Sequence, residues 1–212
     1  MVGILWDLDG TLLNTLDDLT DAANYTLAQF GCPERTKEEV RQFVGNGVLR
    51  LIEQAAQGSN ADVQEMMAVY QQYYRENCRN KTKPYDGVAE VLEQLGEKYP
   101  MAIVSNKPDA AVKALCSDYF PKLYAVGESA RCPRKPAPDM VWQTMEKLGV
   151  DRCVYIGDSE VDVLTAQNAK VPCISVTWGF RDEEQLQADG ARYFCRDVAS
   201  LQSMIEKVVA TL

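Results

Sequence analysis

The sequence contains no histidine. This absence excludes Ser-His-Asp triads, Cys-His dyads, histidine-based zinc sites and histidine general bases. The chain also lacks any stretch of the roughly 20 apolar residues that a membrane span needs, and its first six residues lack the basic start and apolar run of a signal peptide. We therefore expect a soluble protein that does not bind a membrane.

Positive charge is also scarce. The chain has 22 lysine and arginine residues against 31 aspartate and glutamate residues, and its formal net charge is -9. No excess of basic residues is available to neutralise a nucleic-acid backbone, so we expect no nucleic-acid partner. A small phosphorylated substrate is still compatible with this balance, because a local site with a metal ion and a lysine can override the overall charge.

Paired cysteines are missing too. The seven cysteines are scattered singly, and no two form a C-x-x-C pair. An odd number without such pairs does not suggest a closed set of disulfides. Reduced thiols are typical of cytosolic proteins, so we predict a cytoplasmic location.

Short apolar runs alternate with helical patterns over most of the chain. The runs suit strands that are buried on both faces of a parallel sheet, and they cover residues 2–6, 101–104, 123–126, 153–156 and 173–176. Between them, Asp86 can cap one helix, while Pro136 and Gly149 can open and close another. This alternation predicts an α/β fold with a Rossmann-like, doubly wound parallel sheet.

The segment from about residue 16 to residue 80 differs, because it has helical patterns and no convincing strand. Pro84 and Gly87 then mark a return to the alternating pattern. We predict an α/β core domain of residues 1–15 and 82–212, with an all-helical cap domain of residues 16–81 inserted after the first strand.

Polar or ionisable residues follow the predicted strands. Ligands of open α/β sheets bind at the carboxyl ends of the strands, and a fold would not need such residues there for stability. We therefore expect a functional site formed by three segments and one loop lysine, namely Asp7-Leu8-Asp9-Gly10-Thr11, Ser105-Asn106-Lys107, Gly157-Asp158-Ser159-Glu160-Val161-Asp162 and Lys135.

The carboxyl groups in these segments predict a metal site. Gly10 allows a turn that brings Asp9 near Asp7, and Asp158 ends a neighbouring strand. Crowded carboxylates need a cation or a shared proton, and oxygen ligands without histidine or thiolate favour Mg²⁺. Asp162 shares a helix face with Asp158 and could support the metal through water. The alternatives are a simple turn at Asp7 and Asp9, and a helix cap at Asp158.

Ser105, Asn106 and Lys135 are candidates for phosphate binding. Ser105 and adjacent N–H groups could hold a phosphoryl oxygen at a helix N-terminus, with Asn106 as the helix cap. An ordinary strand-to-helix turn is the alternative. Pro136 and Pro138 restrict the loop of Lys135 and could fix its ammonium group beside a phosphoryl group.

Taken in order, the segment 7–11, Ser105, Lys135 and the segment 157–162 resemble the four motifs of the haloacid dehalogenase superfamily, and the helical insert lies where that superfamily carries a cap. The resemblance implies a phosphatase in which Asp7 is transiently phosphorylated, while Asp9 protonates the leaving group and then activates water. It also implies Mg²⁺ on the Asp7 carboxylate, the Asp9 carbonyl and Asp158. The presence of Asp9 sets the chain apart from the dehalogenases, which lack it.

Within the superfamily, the chain looks most like the phosphoglycolate phosphatases, on the segments 43–48, 105–108 and 135–138. The resemblance implies that Gly45 and Gly47 bend a cap loop towards the substrate and that Asn46 meets its carboxylate. A helix break without ligand contact is the alternative. The chain departs from the family at Glu160, which adds a carboxylate to the fourth motif, and at Lys170, where glycine is frequent.

Other activities fit the same motifs. They are a phosphomutase of the β-phosphoglucomutase type, a pyrophosphatase and a nucleotidase. A binding protein that kept the fold and lost catalysis is a candidate of a different class, but the proposed catalytic groups are all present. The expected partner is a small phosphorylated metabolite, and both a monomer and a homodimer are compatible with the sequence.

Overall fold

The computed structural model describes residues 1–130 and 132–212. The chain forms two compact units, one of Met1–Leu13 with Pro84–Leu212 and the other of Asn14–Lys83. The insert limits expected from the sequence, residues 16 and 81, each differ from these by two residues. No helix in the described part of the chain has the length and apolar character needed to cross a lipid bilayer.

The elements follow one another in a mostly alternating order of strands and helices. In chain order they are β1 (Val2–Trp6), β2 (Leu13–Asn14), α1 (Leu16–Gln29), α2 (Lys37–Phe43), α3 (Gly47–Ala55), α4 (Val63–Asn77), β3 (Lys83–Pro84), α5 (Val88–Gly96), β4 (Met101–Pro108), α6 (Asp109–Tyr119), β5 (Tyr124–Glu128), α7 (Asp139–Leu148), β6 (Arg152–Gly157), α8 (Glu160–Ala169), β7 (Cys173–Val176), α9 (Glu183–Ala188), β8 (Tyr193–Cys195), the 3-10 helix Val198–Ser200 and α10 (Leu201–Val209).

Six of the strands form one parallel sheet in the order β5-β4-β1-β6-β7-β8. From β1 the chain continues to β4 and β5 on one side of β1, and then crosses to β6, β7 and β8 on its other side. Strand order therefore reverses at β1, and this reversal opens a crevice beyond the carboxyl ends of the central strands. The predicted doubly wound α/β fold is confirmed.

The register brings the central strands to the same level. Trp6, the last residue of β1, pairs with Ile103 of β4 and with Ile156 of β6. All three side chains are fully buried, as expected for a parallel sheet that is covered on both faces. Residues that follow β1, β4 and β6 are consequently held at one edge of a rigid core.

Several helix ends differ from the predictions by one to three residues. α5 begins after Gly87, which has a left-handed backbone (φ 84°), so Asp86 is not its cap. α7 begins at Asp139 rather than at Pro136, and Gly149 ends it in the left-handed region as predicted. Lys170 ends α8 with φ 61°, a conformation that favours glycine.

The unit Asn14–Lys83 contains the four helices α1 to α4 and lies where the sequence predicts a helical insert. Its base is closed by Asp18, a buried residue of α1 whose carboxylate accepts hydrogen bonds from the backbone N–H groups of Lys81 and Thr82 at 2.8–3.1 Å. Both ends of the insert are thereby bound to each other within the insert itself.

Gly45, Asn46 and Gly47 separate α2 from α3. Gly45 and Gly47 have φ values of 122° and 82°, which only glycine adopts readily, and Asn46 stands at the start of α3. The structure thus shows a helix break at this segment, which is compatible with both interpretations of it. Contact with a substrate stays a prediction.

Candidate active site

Three aspartates meet at the crevice. Asp7 follows β1, Asp158 follows β6, and Asp162 lies in the first turn of α8. One carboxylate oxygen from each lies within 4.8 Å of the others, and all three residues are buried. The predicted convergence of Asp7 and Asp158 is present in the structure, and Asp162 lies in the same cluster.

Lys135 lies between these carboxylates and is 2% exposed. Its ammonium nitrogen is 2.8 Å from Asp7 Oδ1 and 2.8 Å from Asp162 Oδ1, and it also donates to the Tyr155 hydroxyl at 3.0 Å. The Tyr155 hydroxyl in turn donates to the Val104 carbonyl at 3.2 Å. An ammonium group has three N–H donors, so these three contacts hold Lys135 in one position beside Asp7.

The segment after Val104 differs from the prediction. β4 continues to Pro108, and α6 begins only at Asp109, so Asn106 does not cap a helix and Ser105 is not at a helix N-terminus. The reason is the Asn106 side chain, which accepts from the Lys135 N–H at 2.8 Å and donates to the Lys135 carbonyl at 2.9 Å. Both polar atoms of its amide therefore fix the Lys135 backbone rather than a helix end.

Ser105 is also buried, and its hydroxyl oxygen accepts from the Lys107 N–H at 3.3 Å. The sequence places Lys107 in the expected segment Ser105-Asn106-Lys107 but predicts no role for it. Its ammonium group donates to both carboxylate oxygens of Asp9, each at 2.9 Å. The signal was available, since Lys107 follows the same predicted strand as Ser105, but lysines at strand ends are usually solvated.

Asp158 is held by two hydrogen bonds and by close backbone approach. It accepts from the Thr11 hydroxyl at 3.0 Å and from the Phe180 N–H at 2.7 Å. A Cβ atom at Gly10 would lie 2.2 Å from Asp158 Oδ2, and one at Gly179 would lie 2.3 Å from it. Gly10 also has φ 84°, so the turn after Asp9 requires glycine for both reasons.

Asp162 organises the start of α8. Its Oδ2 accepts from the backbone N–H groups of Asp158 and Ser159 at 3.2 and 3.1 Å, and from the Ser159 hydroxyl at 2.6 Å. Ser159 stands at the N-cap position, so the alternative interpretation of Asp158 as the helix cap is wrong. With Oδ1 on Lys135 and Oδ2 on the loop, Asp162 is positioned to orient its neighbours.

The electrostatics of this cluster are strongly perturbed. Burial, and then the charge of Asp162, raise the pKa of Asp7 to about 7, although Lys135 acts in the opposite direction. Burial and the charges of Asp162 and Asp7 raise the pKa of Asp158 well above its usual range. Burial alone would lower the pKa of Lys135, but Asp162 and Asp7 raise it well above its usual value, so this ammonium group stays charged.

Glu160 does not join the cluster of carboxylates. Its two oxygens accept from the Arg181 guanidinium at 2.7 and 3.2 Å, and Arg181 is 5% exposed. The extra negative charge that the sequence places in the fourth motif is thereby matched by a positive charge within the same unit.

Comparisons with known proteins agree with this geometry. A family model described as "haloacid dehalogenase-like hydrolase" matches residues 4–176. A phosphoglycolate phosphatase of Mesorhizobium japonicum is 33% identical over 84% of each chain, and a 5'-nucleotidase of Pseudomonas aeruginosa is 27% identical over 96% of this chain and 95% of its own. A crystal structure from Lactobacillus delbrueckii subsp. bulgaricus, provisionally described as a phosphoglycolate phosphatase, has a TM-score of 0.89 and 35% identity, and covers 96% of this chain and 97% of its own.

The matched region contains Asp7, Ser105, Lys135 and Asp158, the residues that the fold brings to the carboxyl edge of its sheet. The matched family, the relatives and the parallel sheet with its helical insert lead to one conclusion: this chain belongs to the haloacid dehalogenase-like hydrolase family, in which it resembles the phosphoglycolate phosphatases.

Proposed function

We propose that this chain is a Mg²⁺-dependent phosphatase that hydrolyses a small, phosphoglycolate-like phosphomonoester through an aspartyl-phosphate on Asp7. The observation that carries the proposal is the position of Asp7, which lies at the end of the central strand with one oxygen 2.8 Å from Lys135 and with Asp158 beside it. A buried carboxylate fixed by an ammonium group is a suitable oxygen nucleophile for phosphorus.

The proposed reaction has two displacements. An Asp7 oxygen forms a bond to phosphorus as the bond from phosphorus to the leaving oxygen breaks, and Asp9 gives that oxygen a proton. Water then attacks phosphorus, the bond to Asp7 breaks, and Asp9 takes up the proton from water. The products are an alcohol and inorganic phosphate. Lys135, with Ser105 and the backbone that Asn106 fixes, would hold the phosphoryl group.

The donor atoms and charges fit a divalent cation. The site contains four carboxylates (Asp7, Asp9, Asp158 and Asp162) and two ammonium groups (Lys107 and Lys135), an excess of two negative charges. Burial is the largest cause of the raised pKa values of Asp7 and Asp158, and the neighbouring carboxylates add to it. Oxygen donors of this kind suit Mg²⁺. When bound, Mg²⁺ would neutralise charge between the nucleophile and the phosphate.

We propose the Asp7 carboxylate, the Asp9 backbone carbonyl and Asp158 as the metal ligands. Asp162 lies in the same cluster, but its Oδ1 accepts from Lys135 and Tyr155 and its Oδ2 accepts from three donors of the Asp158–Ser159 loop, whereas Asp158 accepts one hydrogen bond at each oxygen. The proposed role of Asp162 is therefore to orient Lys135 and the Asp158 loop.

The helical unit is proposed to act as the cap that selects the substrate, with Gly45, Asn46 and Gly47 as candidate contacts. The net charge of -9 argues against a nucleic-acid partner. The proposed partner is a small phosphorylated metabolite, with no membrane partner, and the proposed protein is a monomer or homodimer in the cytoplasm. The 5'-nucleotidase relative, which covers nearly the whole chain, makes nucleoside monophosphates the second candidate substrate class. Pyrophosphatase and phosphomutase activities are the further alternatives.

The test is release of inorganic phosphate from a panel of phosphoglycolate, nucleoside monophosphates, pyrophosphate and hexose phosphates. We expect Asp7→Asn to abolish turnover without unfolding the protein, and a chelator to stop the reaction until Mg²⁺ is restored. Asp151→Asn is the matched control, because Asp151 is exposed and pairs with the N-terminal amine.

Full turnover by the Asp7→Asn protein would refute the nucleophile. Activity that is indifferent to chelator would refute the metal. Isomer formation without phosphate release would favour the phosphomutase, and complete inertness of the intact, folded protein on every substrate would favour a binding protein.

A further inference from the structure

Lys107 is a buried lysine whose ammonium group is engaged with Asp9. Its side chain is 3% exposed, that of Asp9 is 13% exposed, and the nitrogen lies 2.9 Å from each carboxylate oxygen of Asp9. We propose that Lys107 is a positioning residue that fixes the Asp9 carboxylate for proton transfer to the leaving group and from water. This inference rests on the proposed phosphatase reaction.

The fold holds Lys107 rigidly. It lies in β4, the strand hydrogen-bonded to β1, which Asp9 follows. Its N–H donates to the Ser105 hydroxyl at 3.3 Å. On the other side, a Cβ atom at Gly127 would lie 2.5 Å from the Lys107 carbonyl oxygen, so β5 approaches this backbone as closely as glycine permits. The backbone that carries the Lys107 side chain is therefore fixed in place, and the ammonium group can hold Asp9 in one orientation.

Stability alone is a poor explanation for this pair. Burial of an ammonium group costs desolvation free energy, and the attraction to the Asp9 carboxylate offsets only part of that cost. An apolar side chain of similar length would avoid the cost. Contact with both oxygens also does more than neutralise charge, because two hydrogen bonds from one nitrogen fix where the carboxylate lies and how its plane is turned. Proton transfer depends on that placement, since the acid must reach the leaving oxygen.

Lys107 and Lys135 would thus have different tasks. Lys135 contacts Asp7 and Asp162 on one side of the cluster, where the phosphoryl group is proposed to bind. Lys107 contacts Asp9, the group that serves the leaving oxygen. Replacement of Lys107 should therefore lower activity most on substrates whose leaving group needs a proton.

The experiment compares two substrates. An alkyl phosphate expels a strongly basic alkoxide and needs an acid, whereas p-nitrophenyl phosphate expels a stable phenolate and needs little help. For Lys107→Met we expect kcat/KM to fall about 100-fold on the alkyl ester, the usual size of a general-acid effect, and only a few-fold on the aryl ester. In an Asp9→Asn background, the same substitution should cost almost nothing on either substrate.

Lys113→Met is the matched control, because Lys113 pairs with Asp109 and its side chain is 63% exposed; both substrates should be unaffected. If Lys107→Met fails to fold, the same comparison is made with Lys107→Arg, which keeps the charge but presents it differently, and the preferential loss on the alkyl ester is again expected.

Equal losses on both substrates, or undiminished losses in the Asp9→Asn background, would overturn the proposal and assign Lys107 to structure or to general charge balance. Full activity of Asp9→Asn on the alkyl ester would overturn it as well. Failure of the phosphatase mechanism itself is recognised separately, by retained turnover in Asp7→Asn.

Discussion

The pKa of Asp7 leads to a quantitative prediction about metal binding and pH. Burial, and then the charge of Asp162, raise this pKa from 3.8 to about 7 in the metal-free protein, so a proton competes with Mg²⁺ for the carboxylate. Asp7 is ionised in roughly one molecule in eleven at pH 6 and in roughly ten in eleven at pH 8. The apparent affinity for Mg²⁺ should therefore be about tenfold weaker at pH 6 than at pH 8. Asp158, whose pKa is raised as well, would add to this difference.

The folding stability of the metal-free protein should also depend on the ionisation of Asp7. A carboxyl group whose pKa is higher in the folded than in the unfolded state destabilises the fold progressively as pH rises from its unfolded to its folded pKa, here from 3.8 to about 7, and by a constant amount above that. Mg²⁺ relieves this destabilisation when it binds. We therefore expect the Mg²⁺-induced increase in Tm to be larger at pH 8 than at pH 6.

Isothermal titration calorimetry in buffers of different ionisation enthalpy measures both the affinity and the protons released. Near pH 7 we expect net proton release on binding Mg²⁺. The Asp7→Asn protein is the control, and it should show weaker binding with a smaller pH dependence. Equal affinity at pH 6 and pH 8, or proton uptake on binding, would refute the assignment of Asp7 as a titrating ligand.

The remaining predictions concern two other positions. Tyr155→Phe removes one of the three acceptors of the Lys135 ammonium group, a hydrogen bond worth about 1 kcal/mol of stability, so Tm should fall by about 2–4 °C. Because Lys135 is then held less firmly beside Asp7, kcat should also fall, by about fivefold; an unaltered kcat in steady-state kinetics would contradict this. Lys170→Gly relieves a left-handed residue at the end of α8 and should stabilise the protein by about 0.5–1 kcal/mol without changing activity; denaturant unfolding with an unchanged or lower midpoint would contradict it.

The sequence predicted the parts of the site that depend on the ends of parallel strands. Asp7 and Asp158 follow apolar runs whose length and composition indicate buried neighbouring strands, so their proximity could be inferred without coordinates. The left-handed turn at Gly10 was equally accessible, because few other residues could let the chain reverse there.

Contacts between distant side chains were less accessible. Asn106 was read as a helix cap, yet it bonds the backbone of Lys135, 29 residues away, and β4 continues past it. The position of Lys107 at a strand end is visible in the sequence, but its pairing with Asp9 is not. Tyr155 has no local signal that distinguishes it from an ordinary core aromatic residue. Their roles depend on which atoms the tertiary fold places within hydrogen-bonding distance.

The hydrogen bonds that Asp18 makes between the two ends of the helical insert bear on how such enzymes diversify. The Asp18 carboxylate accepts hydrogen bonds from Lys81 and Thr82 at the far end of the insert. The two ends of the inserted segment are therefore held together by contacts within that segment. A segment of different length or shape could be exchanged at this point while the parallel sheet and its aspartates stay as they are. If the helical unit selects the substrate, as proposed above, such an exchange would change substrate choice and leave the chemical step as it is.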